Sequence, residues 1–149
     1  MKVVVQRVKR CKIVRKKDNQ VIGRVGCGLL LLLGIKKGDT KKQADSLLDK
    51  IIKLRIMADN DGKMNLSIQD TNLEILVVSQ FTLLANTKDG NRPSFIDAEE
   101  PIKAKELYEY FVTKLKEKNV KVETGSFGDY MKIEAELDGP VTIIYETKS

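Results

Sequence analysis

Gly28-Leu29-Leu30-Leu31-Leu32-Leu33-Gly34 is the stretch whose reading decides the fold. Five leucines between two glycines are too few for a buried helix. They suit a strand covered on both faces, where every side chain meets apolar surroundings and no alternation is seen. Upstream, Val3-Val4-Val5-Gln6-Arg7-Val8 is a β-branched run and reads as another strand. Cys11 to Lys16 and Gln20 to Val25 flank Lys17-Asp18-Asn19, a turn-rich stretch, and read as a hairpin. Gly23, Gly26 and Gly28 have the look of a phosphate loop. A dinucleotide fingerprint must open a helix, however, and this one opens the apolar strand, so they read as turn glycines.

Downstream, Asp39 or Thr40 caps a helix whose apolar stripe is Ala44, Leu47, Leu48, Ile51, Ile52 and Leu54. Arg55 to Met57 and Lys63 to Ile68 flank the turn Asp59-Asn60-Asp61-Gly62, whose spacing does not fit a calcium loop. From Leu73 the chain is a strongly apolar strand that turns polar at Ser79-Gln80. A loop over 85–98 leads to Pro101, which fits the first turn of a second helix with the stripe Ala104, Leu107, Tyr108, Phe111 and Leu115. Val120 to Thr124, Lys132 to Glu136 and Val141 to Glu146 read as strands, with Asp138-Gly139-Pro140 as the turn before the last. Many strands and two helices far apart predict an α+β fold: one domain over residues 1–149, mainly antiparallel β-sheet, with two main helices.

Composition sets the limits on function. A chain of 149 residues is of single-domain size and buries roughly 68–70% of its unfolded surface, so it needs no disulfide or metal to fold. There is no histidine. That excludes Ser-His-Asp and Cys-His sites, whose base is histidine, and every zinc site that uses it. Two cysteines, Cys11 and Cys27, cannot complete an all-thiolate site and read as two buried or inert thiols of a reducing compartment. The first residues lack an apolar region with a cleavage site, and no apolar run approaches the roughly 20 residues of a bilayer span, so the expected location is the cytoplasm, with no membrane partner. No metal or cofactor is expected.

The formal charge of +6 is unevenly spread. Residues 1–63 hold 17 Lys/Arg against 6 Asp/Glu, and residues 64–149 hold 10 against 15. Lys2 to Lys17 contains eight basic residues and no acid. Such a block attracts polyanions, though it also fits a solvated hairpin, since no aromatic residues interleave with the cations as a stacking platform needs.

Two short stretches are candidates for chemistry. Ser79-Gln80-Phe81-Thr82 follows a buried strand, where the sheet fixes small polar groups at the edge of solvent. Gly139-Pro140 can take a cis bond far more readily than other pairs, which would aim two carbonyls in nearly the same direction, towards a ligand amine. Either stretch also fits an ordinary strand end or turn.

Together these stretches resemble the two signature motifs of the D-aminoacyl-tRNA deacylases, also called D-tyrosyl-tRNA(Tyr) deacylases. Ser79-Gln80-Phe81-Thr82-Leu83 matches one and Asp138-Gly139-Pro140-Val141-Thr142 the other. Val5-Gln6-Arg7-Val8, the leucine strand, Gly62-Lys63-Met64-Asn65-Leu66, Arg92-Pro93-Ser94-Phe95 and Thr124-Gly125-x-Phe127 agree in order, so the similarity covers nearly the whole chain. It departs at Leu137, where the family often has Asn, and at Asp129, where the family usually has Ala.

The resemblance implies a barrel-like domain that forms a homodimer, and hydrolysis of the ester bond of D-aminoacyl-tRNA. Gly139-Pro140 of one subunit would enter the other's active site as a cis pair. Their carbonyls would hold the substrate's α-amino group and leave no room for an L side chain. Arg7 would hold that motif in place. Ser79, Gln80, Phe81 and Thr82 would line the pocket around the ester and the terminal adenosine, with Met131 nearby. By the same resemblance, catalysis would use backbone donors, water and the tRNA's own 2′-hydroxyl rather than attack by the threonine, which would suit a chain without histidine. Glycine, being achiral, would pass the same filter, so glycyl-tRNA mischarged on tRNA(Ala) is an implied second substrate. The implied partners are D-aminoacyl-tRNA and a second copy of the chain, with no DNA partner. The rival readings are a non-catalytic basic RNA-binding dimer and a structural dimer that has lost activity.

Overall fold

The computed structural model describes residues 1–148. Its elements in chain order are β1 (Lys2–Arg15), β2 (Gln20–Val25), β3 (Gly28–Gly34), α1 (Lys41–Ile52), β4 (Met57–Ala58), β5 (Met64–Leu66), β6 (Glu74–Ser79), α2 (Pro101–Lys116), β7 (Lys121–Thr124) and β8 (Met131–Glu146). Short 3-10 turns lie at Ile68–Asp70 and Phe81–Leu84. β4 and β5 form a separate two-stranded ribbon, and the other six strands form one sheet.

The long strand β1 organises that sheet. Residues 2–8 pair antiparallel with β3 and residues 11–15 with β2, while β8 runs antiparallel to it over residues 2–15. Beyond β3 the sheet is parallel, through β6 and then β7. The sequence reading did not foresee these parallel pairs. The covered leucine strand is where the sheet changes from antiparallel to parallel, and parallel strands are the ones buried on both faces. The order β2-β1-β3-β6-β7 then curls until its ends approach. At Gly23 of β2 a Cβ would stand only 2.5 Å from the Thr124 carbonyl oxygen of β7, so glycine permits the contact that makes the sheet barrel-like.

Each leucine of β3 has a destination. Leu29, Leu31 and Leu33 point with Ile75 and Val77 into the main core, against Leu47, Leu48 and Ile51 of α1 and Leu107, Phe111 and Leu115 of α2. Leu30, with Leu76 and Val78, points into the barrel beside Val8, Cys11, Ile13 and Val25, and the half-buried Leu32 packs against the same cluster. Each buried leucine contributes roughly 1.5–3 kcal/mol. Thr40 rather than Asp39 caps α1: its hydroxyl oxygen accepts from Lys42 N–H at 3.2 Å, and Gln43 Oε1 accepts from Thr40 N–H at 3.0 Å. Leu54 lies just past the end of that helix. Asp39 is buried for another purpose, pairing with the Met1 ammonium at 2.6 Å. Pro101 opens α2 as its fixed φ allows, and Tyr108 Oη donates to the Val77 carbonyl at 2.8 Å, tying α2 to β6.

Two boundaries differ from expectation. The runs 3–8 and 11–16 join in one strand, which ends at Arg15, because Lys9 and Arg10 between them are exposed outward residues and not a break, Arg10 pairing with Glu136 at 2.8 Å. Likewise 132–136 and 141–146 lie on one strand, β8. Asp138-Gly139-Pro140 is therefore not a turn that reverses the chain. β8 pairs Leu137 with Val8 and Thr142 with Gln6, so four residues, Asp138 to Val141, stand opposite Arg7 alone and arch out of the ladder.

Among the described residues no helix is long and apolar enough to cross a membrane. Both cysteines are free: Cys11 is buried, and burial pushes its thiol up to about 11, while Cys27 is exposed.

Candidate active site

β3, β6 and β7 run parallel and end on the same side of the sheet. The carboxyl ends of parallel strands are where such sheets place ligands, since the chain leaves the sheet there and its loops part. A cleft of about 760 Å³ opens at this point. Its floor is Val78, Ser79, Gln80 and Phe81 from the end of β6, with Ile35 from the end of β3. One wall is Phe95 and Ala98 to Pro101, and the other is Phe127 to Met131.

The floor is built by backbone pairing. Gln80 N–H donates to the Leu33 carbonyl at 2.8 Å, which extends the parallel ladder one residue past Ser79. The chain then tightens into the 3-10 turn, with Leu83 N–H donating to the Gln80 carbonyl and Ala85 N–H to that of Thr82. The amides of Phe81 and Thr82 open this turn, where the first donors of a helical segment have no partner within it. Among the described residues neither donates to a protein acceptor. Gln80 Nε2 donates to Thr82 Oγ1. Phe81 is largely exposed and meets Phe95 edge to face, with ring centroids 5.0 Å apart.

Three carboxylates line the cleft, and two are already occupied. Glu99 accepts from Gly38 N–H at 3.1 Å, from Glu100 N–H at 3.1 Å and from Lys103 Nζ at 2.8 Å, and the lysine above all holds it below the usual carboxylate range. Asp129 accepts from Ser126 Oγ at 2.6 Å and lies 3.4 Å from Lys17 Nζ, and the serine hydroxyl is the main reason its pKa falls. Lowered carboxylates are weak bases near neutral pH. Glu100 is the third. Among the described residues no three Cys, Asp or Glu side chains gather as metal ligands would.

Of the residues singled out in the sequence, Ser79, Gln80, Phe81 and Met131 line this cleft, and Thr82 adjoins it through Gln80. Met131 also packs at the mouth of the barrel core, its sulfur accepting from Ser126 N–H at 3.2 Å. Arg7, Gly139 and Pro140 do not line it; they form a second cluster on β1 and β8. There the Gly139–Pro140 peptide is cis and both residues are exposed. Gly139 has φ +126°, a conformation open to glycine and rarely to other residues, and an added Cβ would lie 2.8 Å from Val141 N. Arg7 reaches across the arch. Its Nε donates to the Asp138 carbonyl at 3.3 Å and lies 3.1 Å from the Asp138 carboxylate, and its Nη1 donates to the Ile56 carbonyl at 2.8 Å. Sequence reading had not placed Phe95, Glu99 or Tyr130 in the cleft. Only the fold, which joins three distant loops at one strand end, puts them there.

Comparison with known proteins agrees with this architecture. A family model described as D-Tyr-tRNA(Tyr) deacylase matches residues 4–146. A D-aminoacyl-tRNA deacylase of Thermosipho melanesiensis is 52% identical, the match covering 99% of this chain and 98% of that protein. One from Aquifex aeolicus is 51% identical, covering 99% of each. Among solved structures, one titled c-Myc DNA Unwinding Element Binding Protein superposes with a TM-score of 0.92 at 37% identity over the full length of both chains. A probable eukaryotic D-amino acid tRNA deacylase shares the fold, with a TM-score of 0.82 at 16% identity over 97% of each chain. With nearly every residue inside the family match and about half of them shared with each of these two relatives, the chain belongs to the D-Tyr-tRNA(Tyr) deacylase family, whose members are ester hydrolases.

Proposed function

We propose that the protein hydrolyses the ester bond of D-aminoacyl-tRNA, releasing tRNA and the free D-amino acid, and that it does so as a homodimer in the cytoplasm. The aminoacyl ester and the terminal adenosine lie in the cleft over Ser79, Gln80, Phe81 and Thr82. The arch of the partner protomer covers that cleft. The carbonyls of its Gly139 and Pro140 accept hydrogen bonds from the substrate's α-ammonium group, and the remaining space fits a D side chain or a hydrogen. Glycyl-tRNA mischarged on tRNA(Ala) is therefore a second substrate.

One observation carries the chemistry: the amides of Phe81 and Thr82 open the turn at the cleft floor with no protein acceptor. Two such donors suit the oxygen of a tetrahedral intermediate, where charge develops as the ester is attacked. Histidine is absent, and two of the three cleft carboxylates, Glu99 and Asp129, are engaged, which favours backbone donors over a side-chain base. The Thr82 hydroxyl has no activating partner beyond the Gln80 amide, so it is not the nucleophile. Water attacks the ester carbonyl, the backbone amides hold the oxyanion, and the 2′-hydroxyl of the terminal ribose assists in moving the proton.

Dimerisation is supported by β8. It is an edge strand of 16 residues that leaves Ile133, Leu137 and Ile144 exposed, and a long exposed edge with apolar side chains is a pairing surface. It also carries the arch, which its own chain leaves outside the cleft.

The test is deacylation of paired D- and L-tyrosyl-tRNA with sedimentation of the same sample. Hydrolysis of the D form alone by a dimer is expected. Equal rates on both forms refute chiral selection, and an active monomer refutes the shared site. Binding of tRNA without hydrolysis of either form makes the protein a basic RNA-binding module instead.

A further inference from the structure

The proposed function leaves one feature of the cleft rim unused. Tyr130 lines the cleft and is 77% exposed, so it contributes little to the core. Lys16 stands over its ring, with Nζ 5.9 Å from the centroid. Among the described residues Lys16 has no carboxylate within ion-pair distance. The tyrosine side chain is not needed to hold the rim together. That is done by the backbone, through Lys16 N–H donating to the Tyr130 carbonyl at 2.9 Å, and by the Lys17–Asp129 pair. The end of the eight-cation block is thereby clipped to the mouth of the cleft, beside an aromatic ring left in water.

An exposed ring next to an unpaired cation, continuous with a cleft that takes the end of a nucleic acid, is the arrangement that holds single strands: a base stacks on the ring and the cation meets a phosphate. Resting on the function proposed above, we infer that Tyr130 and Lys16 bind the nucleotide just before the terminal adenosine of the substrate, Tyr130 stacking on its base and Lys16 meeting the phosphate that joins the two. The cleft then recognises the aminoacyl-adenosine, and the rim recognises the strand that delivers it. The β1–β2 turn gives the basic block a place to act.

The experiment compares D-tyrosyl-tRNA with D-tyrosyl-adenosine, which ends before the nucleotide in question, for the wild-type protein and for Tyr130→Ala, Tyr130→Phe and Lys16→Gln. Loss of one stacked base predicts a rise in KM of about tenfold for Tyr130→Ala on tRNA, with kcat moving far less. The penalty on D-tyrosyl-adenosine should be smaller by about fivefold or more, and Tyr130→Phe should restore most of the loss on tRNA. Lys16→Gln should flatten the dependence of log KM on log salt by about 0.7, one phosphate contact on a single strand. Equal penalties on the two substrates, a neutral Tyr130→Ala, or a phenylalanine variant as poor as alanine overturns the inference. So does a Tyr130→Ala protein whose sedimentation has changed, which would make the ring a subunit contact. A wild-type protein inactive on both substrates removes the function and this inference together; active wild type with neutral variants removes this inference alone.

Discussion

Replacing Arg7 by alanine tests how the arch in β8 is held. The side chain is mostly buried and its head has two separate anchorages. Nη1 donates to the Ile56 carbonyl at 2.8 Å, and Nε serves both the carbonyl and the carboxylate of Asp138, at 3.3 and 3.1 Å. A hydrogen bond from a charged donor is worth about 1.5–3 kcal/mol. The bond to Ile56 has good geometry and the one to the Asp138 carbonyl is long. The carboxylate is 39% exposed, so solvent screens that pairing to about 0–1 kcal/mol. The sum for Arg7→Ala is a loss of about 2–4 kcal/mol, or a fall in Tm of about 5–15 °C for a chain of this size. Arg7→Lys keeps the charge but reaches one anchorage, since an ammonium is a point donor and not a fork, so about half the loss should return.

The stability change alone does not distinguish a structural arginine from one that positions the arch. Deacylation of D- and L-tyrosyl-tRNA well below the Tm of each variant does. With Arg7 gone, Asp138 is untied and Gly139-Pro140 is free to shift, so kcat/KM on the D form should fall and the ratio of D to L rates should fall with it. A folded Arg7→Ala protein with the full D/L ratio refutes the reasoning, because the arch would then keep its shape without the guanidinium.

Thr82→Ala should retain activity within about tenfold of wild type, because the hydroxyl has no base to activate it; complete loss in a folded protein, measured by deacylation, would reinstate a threonine nucleophile. Asp39→Ala should destabilise the fold by about 3–5 kcal/mol in urea unfolding, since it leaves the fully buried Met1 ammonium with the neutral Thr147 hydroxyl at 2.7 Å in place of its counter-charge and also removes the acceptor of Lys36 N–H at 2.6 Å. Glu134 lies 2.7 Å from both Lys12 and Lys132, and hydrogen bonds from the two ammoniums hold its carboxyl down to about 2 from an ordinary value of 4.5. A depressed folded pKa stabilises above the unfolded value and is lost as pH falls towards the folded one. The stability difference between wild type and Glu134→Gln should therefore be constant above about pH 5 and shrink between 4.5 and 2, as read from urea midpoints across that range.

What the sequence made legible is what depends on local pattern. The leucine run told of a strand buried on both sides because its composition says so without reference to any partner. Both helices were legible from their stripes, and Pro101 marked the start of the second. Pairing direction was not. Whether β3 lies parallel or antiparallel to β6 depends on a crossover of about forty residues through α1, and no local signal fixes where that crossover returns. The arch was misread as a reversing turn for a related reason. Asp-Gly-Pro has turn chemistry, and only the pairing of Val8 with Leu137 and Gln6 with Thr142 shows that the strand continues past it.

The site divides along the same line. Ser79 to Thr82 could be picked out as polar residues at the end of an apolar strand, which is a local signal. Phe95, Glu99 and Tyr130 could not, because each becomes a cleft residue only through the parallel order of β3, β6 and β7. That order explains why two sets of residues, both prominent in the sequence, end up in different places. Ser79 stands where the parallel strands end, and Gly139 stands on the antiparallel edge beside β1. One sheet thus presents an open floor at one position and a protruding arch at another. In the proposed dimer the arch of one copy would meet the floor of the other. The same division fixes the charge. Lys16 and Lys17 close the β1–β2 turn against the rim at Asp129 and Tyr130, so the end of the basic block reaches the site through the antiparallel half, while the floor comes from the parallel half.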